Sequence, residues 1–313
     1  MSRAGAVRGR LADWGYAAGW RLVRLAPEPV ARAGFTAVAD VVWARRPRSV
    51  RQLEANLARV VPEADPDELR RLSRAGMRSY LRYWREVFRL PELDPEQIHR
   101  VFVMHDDGPL RQALAHGGAV AALGHMGNWD HAGAWGRLEL GPLTTVAERL
   151  RPESLFDRFV AFRQSLGLEI LPLTGGDQEV FGTLVRRVRE GHLVPLLADR
   201  DLTEHGVPVT FFGERTSMPA GPAALALAAG APLFPVSIWY ERDRTIGRVH
   251  PAVDVPASGS RRERIATITQ QVADVLAGAI SEHPMDWHML ARLWWADLDR
   301  PSSSPPAGHG SAP

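Results

Sequence analysis

The stretch AVAALGHMGNWDHAGA, residues 119–134, decides the expected fold. Its first five residues form a short and wholly apolar run, which predicts a buried strand. A Gly127-Asn128 turn signal follows, and helical composition begins at Trp129. The pattern therefore places His125 at the tip of a buried strand just before a helix. Open α/β sheets usually bring their functional groups together at such strand ends.

Asp130 is the second chemically informative residue of this stretch. If residues 125–130 were all helical, His125 and Asp130 could not meet, because positions five apart point in different directions. A turn between them lets the carboxylate accept a hydrogen bond from one imidazole nitrogen and leaves the other nitrogen free to take a proton. We therefore predict a base and its orienting acid. The alternative is that His125 only ends a strand and Asp130 only caps a helix.

The same alternation of strand and helix continues along the chain. Further apolar runs predict strands at 143–147, 169–173, 193–198 and 233–240, with one more strand within 241–256. Helical spacing predicts helices within 49–90 (broken at 62–66), at 110–115, 152–166 and 222–229, around 181–191, and at 260–280. This order predicts an α/β fold, a single domain with a mostly parallel central sheet flanked by helices, preceded by N-terminal amphipathic helices.

Composition excludes several kinds of chemistry. The chain has 313 residues with 45% hydrophobic content, which allows a sizeable core. It contains no cysteine, so disulfides, thiolate nucleophiles and zinc–thiolate sites are excluded. All 38 positively charged residues are arginine, which excludes a P-loop lysine and a lysine Schiff base. The formal net charge of +2 gives no reason to expect nucleic acid as a partner.

The first fifty residues are basic, with nine arginines against three acidic residues, a local balance of +6. Aromatic and aliphatic residues interleave with these arginines, but no unbroken apolar core of a signal peptide or transmembrane helix is present. We predict two amphipathic helices, broken near Pro27-Glu28-Pro29, that contact a membrane surface. The alternative is that they pack on the domain core. The expected boundaries are 1–48 for these membrane-associating helices, 49–300 for the α/β domain, and 301–313 for a disordered tail.

Taken in order, several motifs resemble those of the bacterial lysophospholipid and lipid A-type acyltransferases, and specifically the actinobacterial phosphatidylinositol mannoside acyltransferases. The resemblance covers roughly residues 14–295. It rests on a shared order of motifs: the His-x4-Asp box at 124–130, Glu148-Arg149, Arg163 followed by Gly167, Asp199-Arg200-Asp201, the blocks at 211–214 and 219–222, and His283-Pro284-Met285-Asp286-Trp287. Each motif is weak alone, but their order and spacing combine into a specific signal.

The resemblance implies transfer of a fatty acyl chain, such as palmitoyl, from acyl-CoA to the mannose 6-hydroxyl of a phosphatidylinositol mannoside. It implies His125 as the general base, Asp130 as its orienting acid, and Asp199 as a further acid beside the histidine. Residues of the matching motifs are expected to contact substrate: Glu148, Arg149, Arg163, Arg200 and Asp201. Arg149 and Arg163 could hold phosphate groups, although structural ion pairs are the alternative.

The chemistry adds one further expectation, because negative charge that develops on the thioester oxygen needs donors. The candidates are the backbone N–H groups of Gly127, Asn128 and Trp129 at the predicted helix start. The other histidines are expected to be structural, and His283 and His288 should cap or pack the last helix.

The expected partners are acyl-CoA as acyl donor, a glycolipid acceptor and the cytoplasmic membrane surface, where the protein would be peripheral. No bound cofactor, metal or nucleic acid is expected. Three alternatives stay open: a different lipid acceptor, a metal-dependent hydrolase that uses His125 and Asp130 with His131, and a non-catalytic lipid-binding protein.

Overall fold

Alternating side chains of the strand at 119–123 enter two different hydrophobic cores, and these cores define the architecture. A computed structural model describes residues 20–148, 153–173, 178–201 and 206–298. Val120 and Ala122 join one core, whereas Ala119, Ala121 and Leu123 join the other. All five are buried, as expected for a central strand covered on both faces.

The strands follow the apolar runs of the sequence. They are β1 Phe102–His105, β2 Ala119–Leu123, β3 Thr144–Glu148, β4 Glu169–Leu173, β5 Leu193–Leu197, β6 Val207–Phe211, β7 Glu214–Met218, β8 Leu233–Glu241 and β9 Arg244–Val249. The strands predicted at 119–123, 143–147, 169–173, 193–198 and 233–240 are therefore confirmed to within one residue at each end.

The helices lie mainly between these strands. They are α1 Glu28–Arg45, α2 Arg48–Val60, α3 Pro66–Arg89, α4 Pro95–Val101, α5 Gly108–His116, α6 Trp129–Glu139, α7 Glu153–Ser165, α8 Gln178–Arg189, α9 Gly221–Ala229, α10 Arg261–Glu282 and α11 Trp295–Leu298. Residues 20–25 are also helical.

The central sheet has the order β1-β9-β8-β2-β5. Its pairs are parallel except for β8 and β9, which form an antiparallel hairpin. The parallel pair β3-β4 continues from the β5 edge through a bridge between Leu143 and Leu193. The fold is thus α/β, with a mostly parallel central sheet flanked by helices, as predicted.

Helices cover both faces of the sheet. Helices α8, α9 and α10 supply one core, and α3 to α7 supply the other. A third and smaller core forms where α1 and α2 pack on α3. Most side chains of the sheet interior are therefore removed from water, which leaves the ends of the strands as the place where polar groups can meet.

Several elements were missed by the sequence reading. Strand β1 lies within a stretch for which no strand was predicted, and it is a four-residue edge strand whose apolar run, residues 101–104, is short. The hairpin β6-β7 turns through Phe212 and Gly213, both with positive φ, as a two-residue hairpin turn requires. The short helix α4 begins at a capping box formed by Asp94 and Gln97.

The N-terminal helices break where the sequence predicts, since residues 20–25 and α1 are separated at Ala26-Pro27. In the part of the chain that the structure describes, neither these helices nor any other is both long and apolar enough to cross a bilayer. The tail predicted at 301–313 lies outside the described residues.

Candidate active site

The site forms where two parallel neighbours of the central sheet end together. Strands β2 and β5 pair in register, with Leu123 opposite Leu197. His125 lies two residues after Leu123, and Asp199 lies two residues after Leu197. The same register therefore sets the imidazole directly opposite the carboxylate, at the carboxyl edge of the sheet.

His125 and Asp199 form a close pair. Nδ1–H of His125 donates to Oδ1 of Asp199 at 2.5 Å, and the backbone N–H of His125 donates to Oδ2 at 2.8 Å. The Asp199 side chain is fully buried, whereas 24% of the His125 side chain is exposed. Because Nδ1 carries the proton that faces the carboxylate, Nε2 is left as the basic nitrogen.

Asp199 holds its charge despite its burial. Burial alone raises the pKa of this carboxyl, but the interaction with His125 and the hydrogen bonds from His125 and Trp287 outweigh it and hold the pKa below its ordinary value. The ionised carboxylate then fixes the imidazole tautomer and stabilises an imidazolium when one forms. The prediction that Asp199 lies beside the histidine is confirmed.

The predicted hydrogen bond between His125 and Asp130 is wrong. Asp130 is the second residue of α6, and its carboxylate accepts from Nε of Arg163 at 2.7 Å and from the hydroxyl of Tyr83 at 2.8 Å. The turn after β2 does bring Asp130 back towards the sheet, but towards the α3 and α7 side. The acid that contacts His125 comes instead from the neighbouring strand.

Arg163 forms an ion pair with Asp130, and such a pair was the alternative to its predicted phosphate-binding role. Its Nη2 also reaches Oδ2 of Asp130 at 3.2 Å. Burial alone lowers the pKa of Arg163, but Asp130 outweighs this effect and raises the pKa above its ordinary value. The pair joins the first turn of α6 to α7. Sequence reasoning missed Tyr83, for which α3 offers no local signal.

The start of α6 is fixed by two side chains. The amide oxygen of Asn128 accepts from the His131 N–H at 3.0 Å and caps the helix. The amide nitrogen of Asn128 donates to Glu86 at 3.0 Å. Glu86 is a buried carboxylate on α3 that sequence reasoning also missed. Burial raises its pKa, but His131 and Arg82 outweigh burial and hold the pKa low.

The oxyanion prediction needs one correction. The backbone N–H of Gly127 donates to the carbonyl of Asp286 at 2.9 Å, so it is not available to a substrate oxygen. The backbone amides of Asn128 and Trp129 stay as candidates at the N-terminal end of α6, where the helix dipole also favours negative charge.

The other predicted substrate contacts lie around the same sheet edge or beyond the described residues. Glu148 ends β3, and Arg149 lies outside the described residues. Arg200 and Asp201 directly follow Asp199, and Asp201 accepts from the N–H of Gly206 at 2.8 Å. The structure does not bring Arg163 together with Arg200 or Asp201 in any described contact.

The histidines outside the pair have structural surroundings. His131 contacts Thr245 at 3.2 Å and lies near Glu86, so His125, Asp130 and His131 do not converge on a metal position. Within the described ranges, no cluster of three potential metal ligands is found. His283 is the C-cap residue of α10, as predicted, and its ring stacks on Trp239.

His288 differs from its predicted role, because it lies beside the site instead of capping a helix. The backbone N–H of His288 donates to the backbone carbonyl of His125 at 2.7 Å, and its ring packs near Trp129. Its Nε2 bonds Ser79 at 2.9 Å, and Ser79 also contacts Asp286. Burial and the neighbouring His125 lower the pKa of His288 to about 3, so it is neutral at physiological pH.

Comparison with known proteins identifies the family of the chain. The chain is 51% identical over 294 residues to a protein of Mycolicibacterium smegmatis named phosphatidylinositol mannoside acyltransferase, covering 93% of each chain. It is 48% identical over 292 residues to a Mycobacterium tuberculosis protein of the same name, covering 91% of this chain and 89% of that one. Residues 5–296 match the family described as bacterial lipid A biosynthesis acyltransferase. With a match over nearly its whole length, the chain belongs to the bacterial lipid A biosynthesis acyltransferase family.

Proposed function

We propose that this protein transfers a fatty acyl chain from acyl-CoA to a mannose hydroxyl of a phosphatidylinositol mannoside. The observation that carries the proposal is the pairing of His125 with buried Asp199, which leaves Nε2 as a base on a partly exposed imidazole. A sugar hydroxyl is a weak nucleophile until its proton is removed, and a positioned base contributes roughly 10²–10⁴-fold.

The reaction follows from this arrangement in two proton movements. Nε2 of His125 takes the proton of the acceptor hydroxyl as its oxygen attacks the thioester carbonyl. The tetrahedral intermediate then expels the thiolate as the carbon–sulfur bond breaks, and the imidazolium gives its proton to that sulfur. The products are the acylated glycolipid and free CoA. Asp199 stabilises the imidazolium between the two movements.

The first residues of α6 supply the oxyanion donors in this scheme. The N–H groups of Asn128 and Trp129 lie at a helix start, where the unsatisfied amides and the helix dipole stabilise a developing negative oxygen. Direct attack on the thioester is favoured over an acyl-enzyme, because the chain has no cysteine and no Gly-x-Ser-x-Gly elbow.

The nature of the acceptor is supported by the relatives, whose names give phosphatidylinositol mannoside as their substrate class. Within that class we propose the 6-hydroxyl of the mannose linked to inositol, and palmitoyl as the acyl chain. Arg149 keeps its proposed role as a contact for phosphate groups of CoA or of the inositol lipid.

We also propose that the protein works at the cytoplasmic face of the membrane, which it contacts through residues 20–45. Apolar side chains are exposed along this segment: Leu22 at 70%, Leu25 at 74%, Val30 at 61%, Val38 at 52% and Val41 at 48%. Exposed apolar residues next to arginines suit the boundary between headgroups and acyl chains.

The proposal is tested by incubating purified protein with palmitoyl-CoA and a panel of acceptors. The panel contains phosphatidylinositol mono- and dimannoside, phosphatidylinositol, a lysophospholipid and a lipid A precursor. We expect one added palmitoyl group on a mannosylated lipid, and fragmentation by mass spectrometry should place it on the mannose. Acylation of only the other acceptors would contradict the proposed substrate.

Two controls separate the alternatives. His125→Ala should abolish transfer while binding of the lipid acceptor survives, and transfer that persists would refute the base assignment. Chelation with EDTA should leave the rate unchanged, because Asp130 is neutralised by Arg163 and His131 faces other partners. Loss of activity with EDTA, restored by added metal, would support a metal-dependent enzyme instead.

A further inference from the structure

The segment Asp286 to His288 runs antiparallel beside the residues that follow β2. The N–H of His288 donates to the carbonyl of His125, and the N–H of Gly127 donates to the carbonyl of Asp286. Met126 and Trp287 form the bridge pair between these two bonds. The backbone of His125 is therefore held on one side by the Asp199 side chain, which follows β5, and on the other by this segment.

This arrangement points the Trp287 side chain at the carboxylate that holds the histidine. Nε1–H of Trp287 donates to Oδ2 of Asp199 at 2.9 Å. Oδ2 thus accepts from the indole and from the backbone of His125, while Oδ1 is left to accept from Nδ1. Both Asp199 and Trp287 are fully buried.

The indole ring is itself confined by other aromatic rings. Phe211, Phe212 and Trp294 lie with ring centroids 6.1 to 6.2 Å from that of Trp287. Close packing of this kind keeps a side chain in one rotamer. The N–H therefore meets Oδ2 from a fixed direction and limits rotation of the carboxylate.

We propose that Trp287 is a positioning residue for acyl transfer, which acts by fixing Oδ2 of Asp199 so that Oδ1 stays aligned on Nδ1 of His125. The proposal rests on the role of His125 as base given above. Trp287 needs no contact with either substrate for this role. It donates to Oδ2 of Asp199, whereas Oδ1 of the same carboxylate orients the reacting imidazole.

The physical size of the effect follows from the charge of the acceptor. A hydrogen bond to an ionised group is roughly twice as strong as a neutral one. Without the indole donor, more negative charge stays on Asp199 to stabilise the imidazolium. The backbone N–H of His125 keeps the pair in contact. The neighbouring titratable group, His288, stays neutral and adds no competing charge.

The experiment is Trp287→Phe, which keeps an aromatic ring and removes the N–H. We expect kcat to fall about tenfold or more, since alignment of the base is lost. The KM for palmitoyl-CoA should stay within about twofold of wild type. The acidic limb of the pH–kcat profile should move to higher pH, because the imidazolium is better stabilised.

Trp294→Phe is the matched control. Trp294 is a fully buried neighbour in the same aromatic cluster, and its Nε1–H donates to the carbonyl of Phe211 at 3.0 Å instead of to a catalytic carboxylate. It should lose comparable stability but keep the kcat and the pH profile of wild type. Equal losses in both variants would overturn the proposal and assign the effect to packing of the cluster.

Two further arms keep the outcome decisive. If Trp287→Phe does not fold, benzothienylalanine at position 287 keeps the shape of the indole and replaces only N–H by sulfur. A variant with wild-type kcat and an unmoved acidic limb overturns the role of Trp287. Activity that survives His125→Ala refutes the base assignment instead, so the two failures can be told apart.

Discussion

At the scale of single residues, the two oxygens of Asp199 have different neighbours, and this makes Asp199→Asn informative. Oδ2 faces two N–H donors, so the amide oxygen of an asparagine must take its place. The NH2 group then faces Nδ1 of His125 and forces the proton onto Nε2, the wrong tautomer for a base. We expect kcat to fall about 10²–10⁴-fold.

The measurement is kcat per folded protein, with folding checked by circular dichroism. Asp199→Glu is the companion variant, since it restores the acceptor at Nδ1 and should recover part of the activity. If Asp199→Asn turns over at the wild-type rate, the buried carboxylate does not set the tautomer.

Asp130 and Arg163 form an ion pair, so the effect on stability of changing one residue depends on the other. Asp130→Asn leaves the mostly buried guanidinium without its partner, and we expect the free energy of unfolding to fall by about 3 kcal/mol. The double variant Asp130→Asn/Arg163→Gln removes both charges and should be more stable than Asp130→Asn alone. Urea unfolding of wild type, Asp130→Asn, Arg163→Gln and the double variant gives the coupling energy, and additive losses would contradict a direct ion pair.

Gly127 shows how tightly the backbone is held after His125. Its φ is +58°, and a Cβ there would lie 2.6 Å from the carbonyl oxygen of Ile238. Gly127→Ala should therefore cost at least about 2 kcal/mol of stability. Gly278→Ala is the control, because this exposed position within α10 has open space and should gain up to about 1 kcal/mol. Thermal unfolding of both variants checks the contrast.

At the scale of elements, the sequence was informative where a strand is buried on both faces. A continuous apolar run such as that of β2 or β5 has no other stable placement, so its bounds could be predicted. Both runs are followed after one small residue by a polar side chain, His125 or Asp199. This shared spacing could have predicted the contact between the two residues, because parallel strands in register bring such positions together.

The elements that were missed lack an apolar run that is buried along its whole length. Strand β1 is short and lies at an edge. The β6-β7 hairpin depends on a left-handed backbone conformation of Phe212, which its residue type does not predict. The partner of Asp130 could not be predicted either. Helix composition says where α6 begins, but the direction in which its first turn points depends on how α3 and α7 pack against it.

Helix α1 is apolar on two sides, which a simple amphipathic helix is not. Ala39 is buried, whereas Val30 and Val41 on roughly the opposite side of the helix are exposed, and exposed Val38 lies between the two sides. Residues 30, 38 and 41 fall within about 80° of one another around the helix. A second apolar face that meets no other described part of the chain is a reason to expect a membrane there.

Val38→Glu/Val41→Glu should therefore weaken membrane binding by at least tenfold, since each charge opposes entry into the interface. The measurement is co-sedimentation with vesicles of phosphatidylcholine and phosphatidylglycerol. Val255→Glu is the control, because Val255 has a similar exposure far along the chain. Equal binding of the double variant and wild type would contradict the proposed membrane face.

At the scale of the whole molecule, the cores enclose ionisable groups that must stay neutral, and this couples stability to pH. Burial lowers the pKa of His131 as well as that of His288. Such a histidine takes up a proton in the unfolded chain, near its ordinary pKa of about 6.5, long before it does so in the folded protein. The folded state binds fewer protons, so stability is present above that pH and is lost as the pH falls.

His288 allows the size of this effect to be tested. With a folded pKa of about 3, it should contribute a loss of about 2 kcal/mol of stability between pH 8 and pH 5. His288→Phe cannot titrate, so its free energy of unfolding should fall less over this range, by about that amount, even if the variant is less stable at pH 8. The measurement is urea unfolding at both pH values. An unchanged difference between pH 8 and pH 5 would mean that His288 takes up its proton in the folded protein as readily as in the unfolded chain. The segment beside His125 would then have to be more open to water than its hydrogen bonds indicate.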